Sequence, residues 1–221
     1  MAAFERARSE GARAIELDAR TCAGGDVVVF HDESLERMTH DESRRRVCEA
    51  PLPELRALDL GGGARIPTLG EVLDWARHAD VAVNVELKHD ARDRGALIRG
   101  ALRSVRARRA DVLLSSFDPV LLAMAAVLAP DVPRALLVHA GQPRWASAFQ
   151  EIARPPWVSG LHLERPQATA RSLARYARRG LRRGVWTVND EREALELVGL
   201  GVQTIITDAP GAIVAALTRR T

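Results

Sequence analysis

The sequence predicts an α/β fold built on a parallel sheet with seven main strands. Three observations lead there. An amphipathic helix, a small or glycine-containing stop and a short apolar strand recur along the chain, in FERARSEGARAIEL, VLDWARHADVAVNVEL, SVRARRADVLLSSF, SLARYARRGLRRGVWTV and ALELVGLGVQTIITD. A helical period that gives way to a β-branched run after a tight turn is the pattern of βα units. The strands stay apolar until their last few residues, as strands covered on both faces do, and only then turn polar. Finally, no linker or low-complexity run interrupts the 221 residues, so the chain reads as one domain over 1–221.

Taken in order, the first helix leads into a strand over 13–19. There ARAIELDAR places Ile15, Leu17 and Ala19 on one face and Glu16 and Asp18 on the other, because side chains alternate along a strand. DVVVFHD, 26–32, reads as an extra short strand or strand-loop. A looser stretch with Pro51, Pro53 and Gly61–Gly63 follows, with a helical turn around PLPELRAL. The strand over 82–88, VAVNVELK after a helix, turns Val83, Val85 and Leu87 outward and Asn84, Glu86 and Lys88 inward. Further strands are expected over 111–117, 134–139, 159–164, 184–189 and 203–208, with Asp208 capping the last helix. Gly11, Gly180, Gly184 and Gly201 stand where left-handed caps and tight αβ turns belong. Two architectures fit this list. A doubly wound sheet would bind its ligand at a switch point, often through a glycine-rich turn, but no GxGxxG follows a strand here. A barrel of eight βα units takes about 250 residues, and the strand list falls short of it by one unit.

Composition narrows the function. Lys and Arg number 32 against 29 Asp and Glu, a net charge of +3, and Lys88 is the only lysine. The arginines are spread over helices, with short clusters at Arg44–Arg46 and Arg182–Arg183. No finger, helix-turn-helix or aromatic-interleaved basic groove accompanies them, so no nucleic-acid partner is expected. Cys22 and Cys48 form neither a CxxC nor a metal-type cluster. No run approaches the roughly 20 apolar residues of a membrane span, and no leader pattern follows Met1. The expectation is a cytoplasmic protein without a transmembrane segment.

In a barrel, functional side chains gather at the C-terminal ends of the strands. Those ends carry Glu16 and Asp18, His31 and Asp32, Glu86 and Lys88, Ser115 and Ser116, His162 and Glu164, and Trp186 and Asn189. Three inward carboxylates on strands repel one another unless a cation offsets them. Glu16, Asp18 and Glu86 therefore suit a hard divalent ion, Mg²⁺ or Ca²⁺, and no Cys/His set points to zinc. Lys88 adds a point charge for phosphate, and His31 a proton-transfer group suited to neutral pH. Together they suit phosphoryl or phosphodiester chemistry. Each has a plainer reading alone: ExD as a salt-bridged edge, His31 as a loop cap, Lys88 as an ion-pair partner of Glu86, His162 as wall and Trp186 as core. Ser115 and Ser116 lack a nucleophile elbow. All the members fall at strand ends, and that coincidence sets the group above its parts.

Seven motifs, GARAIELDAR, VVVFHDESLERMT, ELRALDLGGGARIPTLGEVL, VNVELK, LLSSFDP, GVWTVND and GVQTIITDAP, occur in the order found in the glycerophosphodiester phosphodiesterases. The chain resembles that family over essentially its whole length. The resemblance implies a TIM (β/α)₈ barrel that hydrolyses glycerophosphodiesters to an alcohol and glycerol 3-phosphate with a divalent metal. By resemblance Glu16, Asp18 and Glu86 are the metal-binding acids, and His31 is one of two catalytic histidines. By resemblance Lys88 lies near the phosphate and Trp186 lines the site, and the strand-end reading adds His162 to the expected substrate contacts. The family pattern opens with a strand ending in His-Arg-Gly, and AAFERARSEGA matches only the helix after it. The expected fold is thus a barrel lacking most of its first βα unit, with a start site placed too late as the expected reason. Open sheet edges would then invite a homo-oligomer or a partner chain. The rivals are a catalytically impaired homologue that binds a phosphodiester or a partner, and a lyase releasing a cyclic phosphate.

Overall fold

The computed structural model describes residues 1–38, 44–142 and 144–219, with the side chains of 144–147 excepted. Thr39, which ends the VVVFHDESLERMT motif, lies outside the described residues. The chain forms two compact units, Met1–Glu5 with Arg13–Val112 and Arg6–Ala12 with Leu113–Thr221.

The first unit takes the start of helix α1 (Ala2–Ser9), then β1 (Ala14–Thr21), β2 (Val27–Val29), α2 (Leu52–Ala57), α3 (Leu69–Ala79), β3 (Ala82–Leu87) and α4 (Arg94–Arg108). Its strands run in the order β2-β1-β3. β1 and β3 are parallel, with Ile15 opposite Val83, Leu17 opposite Val85 and Ala19 opposite Leu87. These six side chains are buried, together with the apolar stripes of α3 (Leu69, Val72, Leu73, Ala76) and α4 (Leu97, Ile98, Ala101, Leu102, Val105). α3 starts in a capping box, Thr68 Oγ1 accepting from Glu71 N and Glu71 from Thr68 N, the arrangement that satisfies two orphan helix donors reciprocally. β2 is antiparallel to β1, Ala19 facing Val29. The short reversal between them passes through Gly24 and Gly25, both at positive φ (96° and 89°), where a side chain would be strained. The helical turn expected around PLPELRAL is α2. Phe4 of α1 lies on Trp75, ring centroids 5.8 Å apart, and Trp75 Nε1 donates to Glu5 at 2.5 Å.

In the second unit the order is β4-β5-β6-β7-β8. Its elements are β4 (Val112–Ser116, in this unit from Leu113 on), α5 (Pro119–Leu128), β5 (Arg134–Val138), α6 (Arg144–Ile152), β6 (Gly160–Glu164), α7 (Ala170–Arg178), β7 (Arg182–Trp186), α8 (Glu191–Gly199), β8 (Thr204–Ile205) and α9 (Pro210–Thr218). Each strand is parallel to the next. Leu136, Val138, Leu161, Leu163 and Val185 of the sheet share one core with Leu173 and Tyr176 of α7, Leu197 of α8 and Ile213 of α9. Arg134, buried at the start of β5, donates to the carbonyls of Ala129, Val132, Pro156 and Trp157. It thereby satisfies backbone acceptors that would otherwise be stranded in a dry turn.

The alternation of helix and strand is as the sequence predicts, with four differences at the margins. β7 starts at Arg182 and ends at Trp186, two to three residues earlier than expected. β8 is cut to Thr204–Ile205, because Asn189 accepts from Thr207 Oγ1 and Asp208 N and donates to the Asp208 carboxylate. Those bonds turn the chain out of the sheet. Asp208 therefore does not cap α9, whose Ala209 N-cap position has no side-chain cap. Glu10 Oε2 instead accepts from Gly211 N at 3.2 Å. Gly11, Gly180 and Gly201 have positive φ (94°, 73° and 84°), as expected of αβ turns. Gly184 lies inside β7, where a Cβ would come within 2.4 Å of the His162 ring.

Candidate active site

The parallel register of β1 and β3 builds the site in the first unit. Asp18 lies opposite Glu86 and Glu16 opposite Asn84. Since successive side chains take opposite faces, Glu16, Asp18, Asn84 and Glu86 line one face while the apolar partners line the other. One carboxylate oxygen from each of Glu16, Asp18 and Glu86 falls within 4.8 Å of the other two. Lys88, the next inward residue past Glu86, sends Nζ to 3.1 Å from Asp18 Oδ1 and 3.0 Å from Glu86 Oε1. Lys88 and Glu86 are both 7% exposed. Among the described residues neither side-chain polar atom of Asn84 has a hydrogen-bond partner.

Burial and mutual repulsion dominate the electrostatics. Burial first, then the charges of Asp18 and Glu86, push the Glu16 carboxyl up to about 8, with Lys88 opposing. Burial likewise raises Glu86, Asp18 adds to it, and Lys88 resists. At Lys88 burial works against the charge, but Glu86 and Asp18 outweigh it and raise the ammonium pKa. One ammonium thus serves three carboxylates, and the cluster keeps a surplus of negative charge. A second cation would relieve it. Three converging carboxylates with no Cys or His among them match a hard, oxygen-seeking divalent ion, so the residues present fit a metal.

His31 follows β2. Its Nδ1 lies 2.7 Å from Asp32 Oδ1, and Arg37 Nε donates to Asp32 Oδ2 at 2.5 Å. Arg37 is the first cause that holds the Asp32 carboxyl below its ordinary range, with burial opposing and His31 next. The imidazole itself is 67% exposed. Beneath it sits a residue that the sequence reading misses. Arg20, on the same strand face two residues past Asp18, is buried. Its Nη1 and Nη2 donate to Asp90 Oδ1 and Oδ2 at 2.8 and 2.9 Å, and its Nε and Nη2 to the His31 carbonyl at 3.0 and 2.9 Å.

His162 and Trp186 belong to the second unit. Trp186, at the end of β7, donates through Nε1 to the His162 carbonyl at 3.1 Å. Its ring meets Phe117 edge-on at 5.7 Å, and Phe117 meets His139 edge-on at 5.3 Å. An aromatic group therefore stands at the ends of β4, β5 and β7. His162 is 6% exposed, its Nδ1 has no partner among the described residues, and burial depresses its pKa to about 4. It is a neutral side chain against Gly184.

The comparisons with known proteins agree on one group. The family model for the glycerophosphoryl diester phosphodiesterases matches residues 1–212. A glycerophosphodiester phosphodiesterase of Caldanaerobacter subterraneus subsp. tengcongensis is 28% identical over 226 residues, covering 97% of this chain and 89% of its own. Among solved structures, one from Silicibacter pomeroyi DSS-3 assigned to this enzyme type matches with a TM-score of 0.87 at 28% identity, over 98% of this chain and 87% of that one. An Oleispira antarctica phosphodiesterase in complex with the product sn-glycerol-3-phosphate matches with a TM-score of 0.84 at 26% identity, over 95% and 87%. The fold class is the TIM-barrel α/β class that the sequence predicts.

Proposed function

The chain belongs to the glycerophosphoryl diester phosphodiesterase family, and from that premise we propose that it hydrolyses glycerophosphodiesters to an alcohol and glycerol 3-phosphate, as one domain over 1–221. The observation that carries the proposal is the convergence of Glu16, Asp18 and Glu86 within 4.8 Å with Lys88 between two of them. In this reading Glu16, Asp18 and Glu86 hold Mg²⁺ or Ca²⁺. Such an ion, when bound, polarises phosphate oxygens and favours the ionised form of an oxygen nucleophile.

The rest of the chemistry falls to the chain. Lys88, ordered by two carboxylates, supplies positive charge where negative charge builds on the phosphoryl oxygens. His31 exchanges a proton with a reacting oxygen through Nε2, because Asp32 engages Nδ1 and so selects the ring nitrogen left for transfer. Trp186 and His162 are proposed as substrate contacts. Cytoplasmic residence belongs to the same proposal. Cys22 and Cys48 are free thiols, and among the described residues no helix is long and apolar enough to cross a membrane. A second copy or a partner pairing along the outer edge of β8 is a further part of it, read by sedimentation.

Phosphorus NMR of glycerophosphocholine incubated with the protein tests the function. Glycerol 3-phosphate appearing with Mg²⁺ or Ca²⁺, and abolished by a chelator, is the expected result. A cyclic phosphate would make the protein a lyase. Binding without turnover would leave it a phosphodiester-binding member of the family.

A further inference from the structure

We infer that Arg20 is a positioning residue for the proton-transfer step, a clamp that fixes His31 and the chain just beyond Lys88 against the metal-binding strand. The inference rests on the proposed function for its kinetic meaning and on geometry for the rest. The His31 ring is 67% exposed, so little packing surrounds it. An exposed imidazole holds one orientation only if its backbone and one ring nitrogen are anchored. Asp32 anchors Nδ1, and Arg20 anchors the backbone with two hydrogen bonds to the His31 carbonyl. The same guanidinium binds both oxygens of Asp90, two residues past Lys88. Its planar fork is what allows one side chain to serve a carboxylate bidentately and a carbonyl at once.

The position of Arg20 supports this role over a general structural one. The side chain lies on the strand face that carries Glu16 and Asp18, where burying a guanidinium is expensive unless its donors are used. Four of its hydrogen bonds go to two residues, one being His31 and the other beside Lys88. With its donors so engaged and its charge neutralised by Asp90, Arg20 is placed to orient the site and not to grip a phosphate.

The test compares Arg20→Lys and Asp90→Asn with wild type, each with and without His31→Ala, in kcat, KM and metal affinity by calorimetry. The ring signal of His31, identified by its loss in His31→Gln, is followed by proton–carbon NMR. Arg20→Lys keeps the charge and loses the fork. The expected result is a fall of about 10–100-fold in kcat, the scale of a small misplacement, with KM and metal affinity within about threefold. In the His31→Ala background the same substitution should have no further effect, since groups acting as one unit are non-additive. The His31 ring signal should shift or split in both single variants. A wild-type kcat with an unmoved ring signal would overturn the inference, and so would a loss that multiplies with that of His31→Ala. Should Arg20→Lys fold poorly, Asp90→Asn at a carboxylate 30% exposed carries the same comparison. A wild type that turns over no diester would refute the proposed function, and the ring signal alone would then decide the clamp.

Discussion

Glu16 is the residue at which the acid cluster is most directly tested. Burial and two carboxylate neighbours all oppose its charge, so Glu16→Gln should act in opposite directions with and without metal. Without metal it replaces a carboxyl that folding forces to stay protonated at neutral pH, and melting should rise by roughly 2–4 °C, the shift that 1 kcal/mol gives in a domain of this size. With Mg²⁺ or Ca²⁺ the further rise shown by wild type should vanish, and activity should fall by at least about 10²-fold. Melting curves over a metal titration read both. At Lys88, replacement by Met keeps the stem and deletes the charge that Asp18 and Glu86 surround. A loss of about 10²–10³-fold in kcat is expected, measured on the same diester. These residues were legible in the sequence because period-two alternation assigns Glu16, Asp18, Glu86 and Lys88 to one strand face without knowledge of the partner strand. Arg20 shares their parity, but its worth depends on Asp90, 70 residues away, and no local pattern announces that pairing.

For the elements, the same division holds. Helices and strands with strong periodicity stand where the sequence puts them, whereas β7 and β8 depend on a polar turn whose members, Asn189, Thr207 and Asp208, come from two segments. The antiparallel sense of β2 was equally hidden, since three valines read alike in either direction. Gly184 shows how a residue can be misread. A glycine after a helix suggests a cap, but its place in β7 is set by the His162 ring, which a Cβ would meet at 2.4 Å. Gly184→Ala should destabilise the fold by about 1–3 kcal/mol, the usual cost of overpacking, and denaturant unfolding measures it. His162→Ala in the same chain should restore most of that loss if the ring is the obstacle.

The whole molecule feels pH through its buried groups. The His162 pKa is depressed to about 4 in the fold, against about 6.5 in an unfolded chain. Between those values the unfolded state binds the extra proton. Stability from this group is complete above pH 6.5 and is lost as pH falls toward 4, by about 3 kcal/mol at most. Glu16, whose pKa is raised to about 8, works in the other sense, its contribution fading as pH rises. The unfolding free energy is therefore best followed from pH 7 to 4 with metal saturating. It should decline steadily in wild type and less steeply in His162→Gln. Chelation at neutral pH should lower the melting temperature by roughly 5–10 °C if the metal stands at about 100 times its dissociation constant.

The solitary lysine has a practical consequence. An amine-directed reagent has one side-chain target in the whole chain, Lys88, and that target is buried between two carboxylates. Apart from the terminal α-amine, acylation or reductive alkylation would thus label only the acid cluster, and peptide mapping separates the two positions. The fraction modified in a fixed time, read by mass spectrometry, becomes a gauge of how often that face opens to the outside.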